Sequence, residues 1–231
     1  MWAVSPARYA AKRLPGKVLA DLGGRSMLEH VWRRVSQVPE LTRVVVATDD
    51  DRVAAVAQGF GAEVVRTGPA RDGTHRVARA IGSADVPVIG VQADQPLVDP
   101  EHLSVVARRV ASGAAIATLA ADLDDDAWNP ARVKVVVEGG RAVAFSRHPI
   151  PEGGPYRVHV GIYGFGAGQV ARCAAMPRSA RAVAEDLEQL TWLDGGYVIH
   201  VDVVGSPGPS VDTPADLEQV RHRLVRGPTA V

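Results

Sequence analysis

Lysine is scarce in this chain. Of 26 basic residues among 231, only Lys12, Lys17 and Lys134 are lysine, and arginine fills every other cationic position. Surface sites have taken arginine freely, so the three surviving lysines stand out as positions with a chemical reason of their own. Cysteine is scarcer still. The single Cys173 excludes an internal disulfide and a cysteine-rich metal site, which fits a reducing cytoplasm. Net charge is also missing: 26 cations balance 26 anions. That balance argues against non-specific binding to nucleic acid. No apolar run approaches the length of a membrane span, and nothing near Met1 reads as a secretory signal. Internal repeats, linkers and low-complexity segments are absent as well. These absences leave a cytoplasmic protein with one domain over residues 1–231, no nucleic-acid or membrane partner, and charge that acts locally.

What is present alternates. Met1 to Ser5 reads as a short buried strand. Met27, Leu28, Val31, Val35 and Val38 recur at helical spacing behind Ser26, a suitable N-cap. Arg43 to Thr48 is a β-branched run too continuous for a half-exposed strand, so both of its faces are covered. Asp49 to Asp51 then open a helix through Val53, Val56 and Ala57. Ala62 to Val65 and Val86 to Val91 repeat the strand theme, and a helix from Pro100 to about Ser112 follows. This order predicts an α/β fold with a doubly wound, mostly parallel sheet. Ligands bind such sheets beyond the carboxyl ends of their strands. Between Ile116 and Phe165 four strand-like runs follow one another without an intervening helix. From these, residues 142–165 are expected to form a small antiparallel extension that pairs with a second subunit. A helix from Thr213 to about Val225 closes the domain.

Local charge gathers where such a sheet places its ligands. Arg8, Lys12, Arg13 and Lys17 surround Pro15-Gly16 just after the first strand. Glycine lets backbone amides approach an anion and the cations neutralise it, so the loop is a phosphate cradle in type. It is neither a Walker loop nor a GxGxxG fingerprint. Asp94 emerges at the carboxyl end of the strand that finishes at Val91. Asp212 stands at a later strand-to-helix junction, where Thr213 can be the N-cap, Pro214 the first helical residue and Asp216 the third-position acid. Asp212 is not needed for that cap. Two aspartates converging on triphosphate oxygens would hold magnesium. His30, His102, His200 and His222 show no metal-ligand spacing, and Cys173 reads as a buried hydrophobe.

Nine short stretches, in order, resemble the 3-deoxy-manno-octulosonate cytidylyltransferases: PARYAAKRLPGK, ATDDDRVA, DGTHR, QADQP, NPARVKVV, FSRHPIP, HVGIYGF, EDLEQL and VDTPADL. The resemblance runs from about Ser5 to Leu224. It implies a nucleotide-diphospho-sugar transferase type of α/β fold. The reaction it implies is attack by the anomeric hydroxyl of a sugar acid on the α-phosphate of CTP, with release of pyrophosphate. Arg8, Arg13 and Lys17 match the family's triphosphate loop, and Asp94 and Asp212 match its magnesium-binding aspartates. Asp72, Gly73, Thr74 and Arg76 match the loop that recognises the nucleotide. Gln92, Arg147, His159, Tyr163, Glu188 and Gln189 match the surroundings of the sugar acid. A homodimer is implied as well.

The match has departures. Asp72 and His75 replace the family's usual serine and glutamate, Ala93 and Gln95 its glycine and glutamate, and Ala11 a serine. The segment from Pro151 to His159 is shorter than usual. That segment borders the acid site and the dimer contact, so two readings of the acceptor follow: 3-deoxy-manno-octulosonate (KDO) or a related 2-keto-3-deoxy sugar acid, or a different acceptor such as a phosphonate or a sugar phosphate. A non-catalytic nucleotide-binding protein is a third reading, which intact Arg13, Lys17, Asp94 and Asp212 oppose.

Overall fold

Nine strands form one sheet in a computed structural model that describes residues 1–11, 13–122, 129–149 and 156–226. The strands are β1 (Trp2–Pro6), β2 (Arg43–Thr48), β3 (Glu63–Arg66), β4 (Val88–Val91), β5 (Ile116–Asp122), β6 (Lys134–Glu138), β7 (Arg141–Ser146), β8 (Arg157–Phe165) and β9 (Ile199–Val204). The helices are α1 (Met27–Val35), α2 (Asp51–Gly59), α3 (Gly73–Ile81), α4 (Pro100–Ala111), α5 (Gln169–Ala175), α6 (Ala180–Ala184), α7 (Gln189–Asp194) and α8 (Pro214–Arg226). A 3₁₀ turn spans Lys17–Leu19. Lys12 of the basic loop, and Pro151 to Pro155 of the shortened segment, lie outside the described residues.

Neighbouring side chains on the central strands point to opposite faces, and each face has its own core. Val4, Val88 and Ile116 join α3, α5 and α7 through Val77, Ile81, Val170, Leu190 and Trp192. Ala3, Ile89 and Ala117 join α1 and α4 through Val31, Val35, Leu103, Val106 and Val110. Burial of each large aliphatic side chain contributes roughly 1.5–3 kcal/mol, which is why these strands read as continuous apolar runs. The helix ends follow their sequence signals. Ser26 accepts the Glu29 amide at 3.2 Å. At α8, Thr213 accepts the Asp216 amide at 3.2 Å while Asp216 accepts the Thr213 amide at 2.8 Å, a reciprocal capping box.

The sheet order is β3-β2-β1-β4-β8-β5-β9-β7-β6. Its first four strands are parallel, as are β5 and β9. The expectation of a mostly parallel sheet fails beyond β4. β8 runs antiparallel between β4 and β5, and the β6–β7 hairpin adds further antiparallel pairs. Parallel pairing needs a long crossover, and among the described residues no helix separates β5 from β8 to provide one. Residues 142–165 therefore do not form one extension. β7 lies toward the sheet edge, whereas β8 is buried mid-sheet with both neighbours paired. Close packing fixes β8 there: a Cβ on Gly164 would stand 2.5 Å from Val106 Cγ1 and 2.7 Å from Val110 Cγ2.

β2 and β4 flank β1 on opposite sides, so the chain reverses its winding direction at β1 and β4. The crevice beyond their carboxyl ends is the place this topology reserves for a ligand.

Candidate active site

That crevice is a cleft of about 900 Å³. Arg8, Arg13, Lys17, Asp72, Gly73, Arg76, Gln92 and Asp94 line it together with Arg147, His159, Tyr163, Glu188, Gln189 and Asp212. Among the described residues that match the family's site, Thr74 alone is absent from the wall. It is buried, and its amide donates to Glu188 Oε2 at 3.2 Å from behind.

The charged corner is built first. Gly16 sits at φ +75°, a left-handed turn open to glycine, and the Tyr9 ring lies where a Cβ would project. The turn aims Lys17 inward. Its buried ammonium donates to Asp94 Oδ2 at 2.7 Å, to the Val211 carbonyl at 2.7 Å and to Asp212 Oδ1 at 3.0 Å. Burial alone would lower the Lys17 pKa. Charge and hydrogen bonds from Asp94 and Asp212 outweigh it, and the net displacement is upward. Arg13 Nη2 holds the second Asp212 oxygen at 2.8 Å and stays half exposed. Arg8 is exposed at the rim and makes no ion pair among the described residues. The two aspartates thus face one point. Among the described residues no group of three or more His, Cys, Asp or Glu side chains is placed to bind a metal. A pair of carboxylates completed by phosphate oxygens and water is a donor set that suits magnesium.

The stretch expected as a nucleotide loop is the first turn of α3. Asp72 is its N-cap, accepting the His75 amide at 2.8 Å and Arg71 Nε at 2.8 Å. Arg76 is buried and committed to the protein, with an ion pair to Asp49 at 2.9 Å and a bond to Thr67 Oγ1 at 2.8 Å. It braces α3 against the ends of β2 and β3. Gly73, by contrast, opens the helix directly beside the Gln92 amide.

The opposite wall holds the residues matched to the sugar acid. His159 Nε2 meets Thr118 Oγ1 at 3.0 Å, and that hydroxyl also donates to the Ile162 carbonyl at 2.8 Å. The one hydroxyl proton has the Ile162 and Val160 carbonyls within reach besides the ring nitrogen. Burial pushes the His159 pKa down to about 3, which keeps the ring neutral. The Tyr163 hydroxyl is buried with no partner among the described residues, a polar handle left for a ligand. Burial, and then the charge of Glu188, raise its pKa well above the ordinary value. Glu188 is pushed up to about 8 by burial first and by Asp72 second. Asp72 responds in the opposite sense: burial would raise it, but Arg71, the His75 amide and Glu188 hold it low. The two carboxyls therefore share a proton that resides on Glu188. Gln189 is buried at the first turn of α7, next to it in the wall. Arg147 is more occupied than a free carboxylate clamp. Its guanidinium donates to the carbonyls of Glu185 at 2.8 Å, Pro130 at 3.1 Å and Asp186 at 3.3 Å, and two of its five N–H groups remain.

Three supporting residues escaped the sequence reading. Glu185 accepts the Arg147 amide at 2.6 Å and the Ser146 hydroxyl at 2.9 Å, fixing the end of β7. Thr118 orients His159, and its one signal is a hydroxyl inside an otherwise apolar strand. Arg71 ties the α3 cap to the carbonyls of Ala174 and Met176 at the end of α5, each at 3.2 Å. Cys173 is buried with its pKa pushed up to about 12, first by burial and then by Glu188, which suits a packing residue.

A doubly wound sheet with a cation–carboxylate corner at its topological switch describes a nucleotide-handling transferase. The cytidylyltransferase family model matches residues 3–199. A 3-deoxy-manno-octulosonate cytidylyltransferase of Anaeromyxobacter sp. (strain Fw109-5) is 42% identical over 97% of this chain and 97% of its own. Another, from Aliivibrio fischeri (strain MJ11), is 41% identical over 96% and 97%. A solved structure of CMP:2-keto-3-deoxy-manno-octonic acid synthetase complexed with CTP superposes with a TM-score of 0.91 at 37% identity, covering 97% of this chain and 98% of that one. The chain belongs to the 3-deoxy-manno-octulosonate cytidylyltransferase family.

Proposed function

We propose that the protein transfers CMP from CTP to the anomeric hydroxyl of KDO or a related 2-keto-3-deoxy sugar acid, releasing pyrophosphate. The carrying observation is that one cleft joins a triphosphate-type corner to a polar, partly neutral wall, in a chain 42% identical to a named enzyme of this activity. The attacking oxygen forms a bond to the α-phosphorus as the bond to the bridging oxygen of pyrophosphate breaks. The protein's work is in-line positioning and charge neutralisation. Arg8, Arg13 and Lys17 neutralise the triphosphate, and α3 presents its first turn, with Gly73, to the nucleotide. Gln92, Tyr163 and Gln189 offer polar groups to the sugar hydroxyls, while Arg147 offers its two remaining N–H groups to the carboxylate. His159, with its pKa pushed down to about 3 by burial, is too weak a base to take the hydroxyl proton, and Glu188 is already protonated below about 8.

Asp94 and Asp212 would hold magnesium. Bound there, the ion would neutralise phosphate charge and ease loss of the hydroxyl proton. Support comes from two carboxylates aimed at one cationic point. A homodimer is part of the same reading. The cytoplasm is its location, supported by the lone cysteine and by the absence, among the described residues, of a helix long and apolar enough to cross a membrane. The deciding experiment measures pyrophosphate release from CTP with a panel of sugar acids, phosphonates and sugar phosphates, with and without magnesium. KDO or a near relative should be the productive acceptor, and Asp94→Asn or Asp212→Asn should abolish most metal-dependent turnover while the fold remains. Turnover only with acceptors lacking a sugar-acid carboxylate would overturn the acceptor.

A further inference from the structure

An ammonium has three hydrogens, and Lys17 has spent all three inside the protein, on Asp94, Asp212 and the Val211 carbonyl. Its side chain is only 10% exposed. In this arrangement no donor remains for a phosphate. Three of the four carboxylate oxygens are engaged as well: Asp94 Oδ2 and Asp212 Oδ1 both face Nζ, and the second Asp212 oxygen faces Arg13. A divalent cation between these carboxylates would stand within a few ångströms of the ammonium, where like charges repel strongly in a partly buried setting. The two roles assigned to this corner are therefore mutually exclusive with the geometry seen.

The geometry points to Lys17 as an internal stand-in for the metal, holding Asp94 and Asp212 together until the triphosphate draws it away and a divalent cation takes its place. This rests on the reading of the two aspartates as the metal site. Lysine suits such a role better than arginine, because a compact ammonium on a flexible stem can leave a three-acceptor point that a planar guanidinium would not fit. Two consequences follow. The nucleotide-free protein binds divalent metal weakly, and metal and nucleotide binding are coupled, each strengthening the other by the same factor. The carboxylates meanwhile stay within reach of one another without mutual repulsion pushing the α8 junction away from the basic loop.

The test is manganese binding to nucleotide-free protein, followed by electron paramagnetic resonance of the free ion. Lys17→Met should bind manganese at least about tenfold more tightly than the wild type, within the usual range of a coupling between sites. Lys17→Gln, which retains hydrogen bonding without charge, should show the same direction, and circular dichroism melts report whether each variant is folded. The gain should vanish when Asp94→Asn is added. Wild-type protein with CTP should bind manganese in an Asp94-dependent way beyond what CTP binds alone. If that holds while neither Lys17 variant gains affinity, the exchange is wrong and the metal site stands. If no form binds manganese in an Asp94-dependent way, the metal site itself is wrong.

Discussion

Glu188→Gln should stabilise the protein, by an amount that grows with pH. The Glu188 carboxyl titrates near 8 instead of the ordinary 4.5, first because it is buried and second because Asp72 adjoins it. A folded-state value above the unfolded one means that the folded chain holds the proton more tightly. The stabilisation is thus fully present below 4.5 and is lost as pH rises through about 8. For a group titrating alone, at about 1.4 kcal/mol per pH unit, the loss would reach about 4–5 kcal/mol. Glu188 does not titrate alone. Asp72 is held low by Arg71, by the His75 amide and by the Glu188 proton itself, so the pair ionises in coupled steps and part of the loss is shared. About 2 kcal/mol is a reasonable net expectation for the variant's advantage at pH 8.5. Glutamine keeps the shape and remains neutral at every pH. Urea titrations of both proteins from pH 5 to pH 8.5 should show curves that start close together and diverge. The wild-type KM for the acid should also rise as pH passes about 8, and that of the variant should not. Parallel stability curves across the whole range would refute the shared proton.

Three other outcomes are expected. Arg13→Ala removes a charge-assisted contact of a type worth about 1.5–3 kcal/mol, so CTP affinity measured by calorimetry should fall at least about tenfold. Arg147→Ala should raise KM for the acid more than for CTP. It should also lower the melting temperature, because three bonds to carbonyls are lost, each contributing about 0.5–1.5 kcal/mol. Gly164→Ala drives a methyl group against Val106 and Val110 on α4. It should cost about 1–3 kcal/mol in urea unfolding without changing CTP affinity at matched folded fraction.

Local signals proved legible where a few adjacent residues determine the outcome. Ser26, and Thr213 with Pro214 and Asp216, mark helix starts because capping is decided within one turn. The scarcity of lysine was informative too. Lys17 meets three acceptors, and Lys134, fully buried, donates to the carbonyls of Asn129 and Arg147 at 2.7 Å each. The place of β8 was not legible, since its own residues state that it is a strand but not which strands it enters between. The partners of Arg76 and Arg147 were hidden for the same reason: charge is visible in a sequence, whereas the carbonyls and carboxylates that consume it come from distant segments. Glu185 lies in the matched stretch EDLEQL without any sign of the β7 end it fixes, and the likeness of Asp72 to Arg76 to a nucleotide loop hid that Asp72 caps α3.

Lys17 and the residues that hold it are 194 and 195 positions apart along the chain for Val211 and Asp212. Leu22 and Met27, which follow the basic loop, pack on Val211, Leu217 and Val220. During synthesis, all nine strands emerge before the segment that completes this corner. A nascent chain halted after Val204 would have the whole sheet available yet lack Asp212, and its Lys17 would have only Asp94 to face. Long-range contacts of this kind form late, after loop closure has been met elsewhere. Translation of the residues from Val211 to Val220 therefore completes the Lys17 corner last, and a truncated or stalled product would lack two of the three groups that hold the ammonium.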